Sequence, residues 1–544
     1  MRTNGNIIIN NQYNIGHICT RLQCEQGHAD KVALRYLSPQ MDKTDYTFGE
    51  LERLSNRFAA VLQSCDFQPG DVFCIFLPKI PDVFIAILGA LKCRVIAGTL
   101  FANIGDETLY DRLYDSKARG IITKKSFLKK LLPLRDRLPH LQYIFVVDSA
   151  DHEPGNILSF DLMMKNAPGD FTAGITAPDC PSILHYTSGS TGKPKGALHV
   201  HGGIVYQNKT MREIFQIHGD DHYWCTADHG WVTGTTYGVS GPWSSGITQI
   251  HYGGAYDPEK WFAILQNESI HIWYTAPTAL RMIMREEPEF FSRYDLHSLR
   301  HIFSVGEPLN PEIIQWSRKI MKKDIYDTWF QTETGAILIA NRPGMQIKPG
   351  SMGKPVQGIE PAILDENGVF VDNNKQGHLC LKSGCPSMFV TYLNNPEAYQ
   401  GKFKNDYYYT GDTAFKDEEG YYWFIGRADD VINTAGHLVG PFEVESALLE
   451  IEEVAEAAVI GAPDEMLFEK VVAFVCLKKK YSPSPELELR LRLHVTKHVS
   501  STATPQEIIF TDAIPKNKSG KIMRRVLKAR YLGQDVGDIS TMEG

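Results

Sequence analysis

Short apolar runs alternate with stretches of helical periodicity along most of the chain, which predicts strands and helices in turn and so an α/β protein with layered, mostly parallel sheets. Strands are expected in the runs DVFCIFL from Asp71, RVIAGTLF from Arg94, YIFVVD from Tyr143, SILHYT from Ser182, IHIWYTA from Ile270 and HIFSVG from His301. Between them lie helical patterns. FGELERLSNRFAAVLQ (48–63) is one; NPEIIQWSRKIM (310–321) is another, with Asn310 placed to cap and Pro311 suited to the first turn. After the glycine- and aspartate-rich GRADDVINTAG the rhythm changes to helix, strand, strand, helix, strand, enough for a small α+β unit. We therefore expect a large multi-lobed amino-terminal domain over 1–428 and a smaller lid over 429–544.

Composition narrows the classes. With 544 residues, 43% hydrophobic and 22% charged, the chain is long enough for several cores, and a net charge of −8 gives no sign of a nucleic-acid surface. The amino terminus lacks the sustained apolar run of a secretory signal. The most apolar region, 71–93, is broken by Pro78, Lys79, Pro81 and Asp82 and falls short of the roughly 20 apolar residues a bilayer span needs. It reads as a buried strand followed by a helix with Pro81 near its start. None of the ten cysteines forms a C-x-x-C pair, so a redox motif or zinc ribbon is unsupported and a reduced, cytoplasmic setting is expected. Cys19, Cys24 and His28 cluster in sequence but offer a metal no clear fourth ligand.

The chemistry concentrates in HYTSGSTGKPKG (185–196). Its glycines permit close backbone approach, its hydroxyls donate, and Lys193 and Lys195 supply positive charge, all suited to a polyphosphate. It is not a Walker loop: Gly189 and Gly192 are two residues apart, where that loop needs four, and Lys193 is followed by Pro194. The segment instead resembles the phosphate loop of the adenylate-forming enzymes, the superfamily of acyl-CoA synthetases, luciferases and peptide-synthetase adenylation domains. Five further motifs follow in that family's order: SVGEP (304–308), YDTWFQTETG (326–335), YTGD (409–412), GRADDVINTAGH (426–437) and PKNKSGKIMRR (515–525).

The resemblance implies acid activation by ATP through an acyl-adenylate, then transfer to a thiol, with ATP/AMP, Mg2+ and coenzyme A as the small molecules involved. It assigns nucleotide contacts to Thr187, Ser188, Gly189, Ser190, Thr191, Gly192 and Lys193, to Gly306, Glu307 and Pro308, and to Asp327, Thr328, Trp329, Phe330, Gln331 and Thr332. Asp412 would hold the ribose hydroxyls with Arg427 beside it, Glu333 would take the metal, and Lys521 would bridge carboxylate and α-phosphate. Asp429 matches the hinge, and Gly436 would line the coenzyme A path together with Thr233.

WCTADHGWVTG (224–234) resembles the acetyl-CoA synthetase branch, which implies a small acyl pocket of Val232, Thr233, Val305 and Phe330. Phe330 stands where that branch carries a second tryptophan, so acetate is expected first and propionate next. Leu438 stands where the branch usually has an arginine that contacts the ATP phosphates, which implies altered pyrophosphate handling and a reaction able to run toward ATP, and Ala435 replaces a serine near the expected coenzyme A path. Two rival readings are an adenylating enzyme that hands its acyl group to a carrier protein and a degenerate nucleotide-binding regulator; Lys521, Glu333, Asp412 and Arg427 together argue against the regulator. The SGK lysine of relatives can be silenced by acylation, so Lys521 is a candidate regulatory site.

Overall fold

The computed structural model describes residues 7–187, 195–434, 437–516 and 521–536. Two large sheets dominate the first three quarters of the chain. One has eight strands in the order Thr391–Tyr392, Lys195–Val200, Pro181–Thr187, Ile96–Thr99, Val72–Ile75, Gly120–Thr123, Tyr143–Val146 and Ile157–Ser159. It is parallel except where Lys195–Val200 and Thr391–Tyr392 add antiparallel at one edge. The other has nine, from Lys354–Pro355 through Ile339–Ala340, Ile325–Trp329, His301–Ser304, Ile272–Thr275, His222–Cys225, Thr248–Tyr252 and Val32–Leu37 to Lys43–Thr47. Its centre is parallel and its margins are antiparallel.

The sequence dictates why these sheets stack. The Val72–Ile75 strand is buried at every position, as a parallel strand covered on both faces must be. The Asp82–Lys92 helix is apolar around nearly its whole circumference and buried from Val83 onward, so it belongs between layers rather than on a surface. Its side chains share one core with Ala33 and Leu34 of the nine-stranded sheet and Phe73 and Ile75 of the eight-stranded one. Lys92 ends that helix inside the core, where Nζ donates to Glu52 Oε2 at 2.5 Å and Asn56 Oδ1 at 2.6 Å, the pairing a buried ammonium requires. The neighbouring Phe48–Ser64 helix begins with a reciprocal capping box between Thr47 and Glu50.

A third sheet departs from the parallel expectation. Pro361–Leu364, Gly377–Lys382, Tyr407–Lys416, Phe403–Lys404 and Tyr422–Arg427 pair antiparallel throughout; between Lys382 and Phe403 the chain leaves to add Thr391–Tyr392 to the first sheet and forms the Pro396–Gln400 helix. A fourth sheet follows, built on the long Val454–Asp464 and Phe468–Leu477 hairpin, with Glu507–Phe510 parallel to its second strand and the Pro441–Leu449 and Pro485–His498 helices packed on it. Asn310 occupies the cap position of the Pro311–Ile320 helix but does not cap it. Its Oδ1 accepts from Arg281 at 3.3 Å and its Nδ2 donates to Ser446 of the carboxy-terminal unit at 3.0 Å. Among the described residues no helix is long and apolar enough to cross a membrane.

Candidate active site

Parallel strands present their carboxyl ends to a common crevice, and the nine-stranded sheet does so at Thr275, Ser304 and Asp327, which are register neighbours. Gly306 follows the second of these ends at φ +95, a conformation that disfavours any other residue and turns Glu307 back into the crevice. There Glu307 Oε1 accepts from Thr278 Oγ1 at 2.6 Å and Oε2 accepts from Arg281, with Pro308 half-buried beside it. Thr328 Oγ1 donates to Ser304 O at 2.7 Å and lies 2.7 Å from Tyr274 Oη, locking the two strand ends together.

Asp412 is the point on which the next elements converge. It lies directly opposite Arg427 in the antiparallel pairing of Tyr407–Lys416 with Tyr422–Arg427. Its Oδ1 accepts from Arg427 Nη1 at 2.7 Å; its Oδ2 accepts from Trp329 Nε1 at 3.1 Å and Gln331 Nε2 at 2.9 Å. Gln331 also donates to Thr410 O and accepts from Tyr408 Oη. Gly411 permits the close pairing: its φ is +77, and a Cβ there would meet Arg427 Nη2 at 2.9 Å.

Lys521 faces this pair from the carboxy-terminal unit, within the electrostatic reach of Arg427, Asp412, Asp430 and Arg524. Part of its surface is open to solvent, yet the protein packed around the ammonium and the nearby guanidiniums hold its pKa below the ordinary lysine value. Arg524 anchors the start of its own helix, its Nη2 donating to both carboxylate oxygens of buried Glu445 at 2.6 and 2.7 Å. Asp429 is exposed in the turn after Arg427, where Asp430 and Val431 N–H groups return to Arg427 O.

Glu333 and Thr332 sit half-buried in the loop after Phe330. Glu333 Oε1 accepts from Tyr392 Oη at 2.7 Å, and Lys195 lies 5.6 Å from the Tyr392 ring. A single carboxylate placed beside Tyr392 and Lys195 fits Mg2+, a hard cation that takes few protein ligands and fills its shell with water and ligand oxygens. Thr187 ends its strand paired with Lys195. Ser188, Gly189, Ser190, Thr191, Gly192, Lys193 and Gly436 lie outside the described residues.

Val232, Thr233 and Val305 are buried, and Phe330 is half-buried. Tyr237, in the turn continuing the Val232–Thr235 helix, sets its ring edge-on to Phe330 at 5.5 Å. Its neighbour Thr236 donates to Gly335 O at 2.8 Å, and Tyr237 Oη accepts from Ile337 N at 2.9 Å. The Val232–Thr235 helix is thus tied to the loop that carries Phe330 and Glu333. Cys19, Cys24 and His28 do not form a ligand set; His28 Nδ1 instead faces Gln23 at 3.2 Å.

The sequence motifs did not reveal Tyr392, Arg281 or Lys402. Half-buried Lys402 faces Glu333, Arg427, Lys195 and Asp429, and burial, with the cations around it, lowers its pKa. Its only sequence signal is its place shortly before the YTGD strand.

Asp327 is buried, and its Oδ1 has no hydrogen-bond partner among the described residues. Burial outweighs the neighbouring dipoles and pushes its pKa well above the usual carboxylate value, so the folded protein holds the proton where an unfolded chain releases it. The wild type should then lose stability relative to Asp327→Asn as pH rises above about 4, at up to about 1.4 kcal/mol per pH unit until the folded-state pKa is passed. Apparent unfolding midpoints of both proteins from pH 4 to 8 check this; a constant difference would mean that the carboxyl is not held neutral.

Two family models match the chain: AMP-binding enzyme over residues 21–393 and AMP-binding enzyme C-terminal domain over 443–521. An acetyl-coenzyme A synthetase of Bacillus subtilis is 46% identical over 521 residues, covering 95% of this chain and 91% of that protein. Among solved structures, an anthranilate CoA ligase in complex with anthranoyl-AMP superposes with a TM-score of 0.87 at 28% identity, covering 97% of this chain and 98% of that one. A benzoate CoA ligase from Burkholderia xenovorans gives 0.84 at 27% identity over 95% and 99% of the two chains. With a family model matched over most of the chain and a relative 46% identical over nearly its whole length, the chain belongs to the AMP-binding enzyme family.

Proposed function

We propose that the protein is an AMP-forming ligase that joins a short carboxylic acid, acetate first and propionate next, to coenzyme A. The observation that carries this reading is the placement of Lys521 against the Asp412–Arg427 pair, because a single ammonium there reaches both a ribose-anchored α-phosphate and the carboxylate attacking it. In the first half-reaction a carboxylate oxygen bonds to the α-phosphorus and pyrophosphate leaves. In the second the coenzyme A sulfur bonds to the acyl carbon, its proton is lost, and AMP departs with that oxygen. No covalent enzyme intermediate is required, so the protein contributes alignment and charge stabilisation.

Asp412 accepts from the ribose hydroxyls while Arg427 and Lys521 balance the α-phosphate; Trp329 and the Gly306–Pro308 turn wall the adenine, with Asp327 and Thr328 at its edge. Glu333 would hold Mg2+ with ATP, and that ion supplies neutralising charge to the phosphates. Thr233 and Gly436 lie on the proposed coenzyme A path, and Asp429 is the proposed pivot between 1–428 and 429–544. The ten unpaired cysteines support a reducing, cytoplasmic setting. Acylation of Lys521 would abolish its charge and so switch off the first step.

Leu438 is exposed and pairs with Asn433 in a short hairpin, so its position offers the phosphates no charge. Lys402 stands on the Glu333 side and is the described cation best placed to compensate, which would leave pyrophosphate binding adjustable and the reaction reversible toward ATP.

Acid preference follows from Phe330, whose ring is fixed by Tyr237. AMP release with coenzyme A present should give the highest kcat/KM for acetate, propionate about 10- to 200-fold lower, and negligible turnover of benzoate. Phe330→Gly should move the optimum to longer acids. A wild-type optimum at four or more carbons overturns the small pocket.

Lys521→Ala should depress acetate-dependent pyrophosphate exchange by about 10²- to 10³-fold. Formation of acetyl-CoA from supplied acetyl-adenylate should survive within a few-fold. Retained exchange in that variant would refute the role given to the lysine.

A further inference from the structure

On the carboxy-terminal unit, between the Pro441–Leu449 and Pro485–His498 helices, three metal-ligating side chains meet that the reaction does not use. His494 and His498 are one helical turn apart, so both imidazoles project from one face. Their rings stack at a centroid distance of 4.1 Å and an interplanar angle of 22°. Glu450, the residue that ends the first helix, reaches across so that its Oε2 lies 2.8 Å from His494 Nε2. One ligand atom from each of the three lies within 4.8 Å of both others. His498 and Glu450 are exposed and His494 is half-buried, so an ion reaches them without opening the fold.

We propose that Glu450, His494 and His498 form a surface site for a divalent cation of the zinc type. Two imidazole nitrogens and one carboxylate oxygen suit Zn2+, which binds such ligands at about 2.0–2.2 Å in a tetrahedron and takes water as the fourth. Ligand atoms in that geometry sit about 3.4 Å apart, so small rotations of solvent-facing side chains close the site. The nitrogen ligands select against Mg2+ and Ca2+, which prefer oxygen, so this position is chemically distinct from Glu333. Because Glu450 belongs to one helix and the histidines to the other, the ion clamps the two helices that cover the carboxy-terminal sheet. Val499 and Ser500, next along the chain from His498, line a cavity of about 420 Å³ shared with Leu438 and, from the third sheet, Gln376. The clamp therefore stiffens one wall of the opening between the units.

The test uses the full chain, with Zn2+ titrated against a chromogenic chelator in buffer containing Mg2+, and thermal unfolding as a second reading. The wild type should bind one Zn2+ more than the His494→Ala/His498→Ala variant, and its unfolding midpoint should rise with Zn2+ where that of the variant does not. Glu450→Gln should weaken the site by about 10- to 100-fold. Ligase activity without added Zn2+ should be the same in all three, showing that the fold is intact. Equal Zn2+ stoichiometry and equal Zn2+-induced stabilisation in wild type and double variant, or no uptake by the wild type up to millimolar Zn2+, would overturn the proposal.

Discussion

A carboxylate buried against a guanidinium sets the geometry of this molecule. Asp412 is 3% exposed, and three donors from two sheets hold it: Arg427 from the adjacent antiparallel strand, Trp329 from the end of a parallel strand, and Gln331 from the loop beyond. A charge withdrawn from water is tolerated only when its lone pairs are filled, so Asp412 fixes the register of the third sheet against the second. The two sheets also share the apolar cluster of Ile339, Met352, Leu379 and Tyr422. Arg427 is also the last residue of its strand before the turn into the carboxy-terminal unit. The pair that would seat the nucleotide is therefore the pair from which the second unit departs.

That arrangement explains how distant segments share one task. The Val232–Thr235 helix is tied through Thr236 and Tyr237 to the loop bearing Phe330 and Glu333, and that loop is tied through Gln331 to Asp412. Asn310 bonds to Ser446, and Arg285 meets Glu456 at 2.8 Å, so the carboxy-terminal unit rests on the Glu307 side of the crevice by a few polar contacts. Polar contacts of this kind are exchanged at little cost, which fits the pivot proposed at Asp429.

Much of this was legible because motifs and strand ends coincide. The strands Val72–Ile75, Ile96–Thr99, Tyr143–Val146 and His301–Ser304 are parallel and buried at all or all but the first position, and each lies inside the run that announced it. The antiparallel third sheet was less visible because its edge strand Phe403–Lys404 has only two residues and the longer strands mix buried with half-exposed positions, so no uniform apolar run marks them. Asn310 misled for a different reason: its spacing fits a cap, but tertiary partners claimed both ends of its amide. Tyr392 and Lys402 reach Glu333 only through the fold, and no local pattern marks such a residue. The same holds for Glu450, since the spacing of His494 and His498 is plain but its carboxylate arrives from another helix.

The most direct test of the account is a double-mutant cycle on Asp412→Asn and Arg427→Gln, read as kcat/KM for ATP in adenylate formation. If the two side chains act as one unit, the double variant should be scarcely worse than the more damaged single variant, a coupling of about 1–3 kcal/mol. Losses that simply add, to within about 0.5 kcal/mol, would contradict the claim that this pair organises the site.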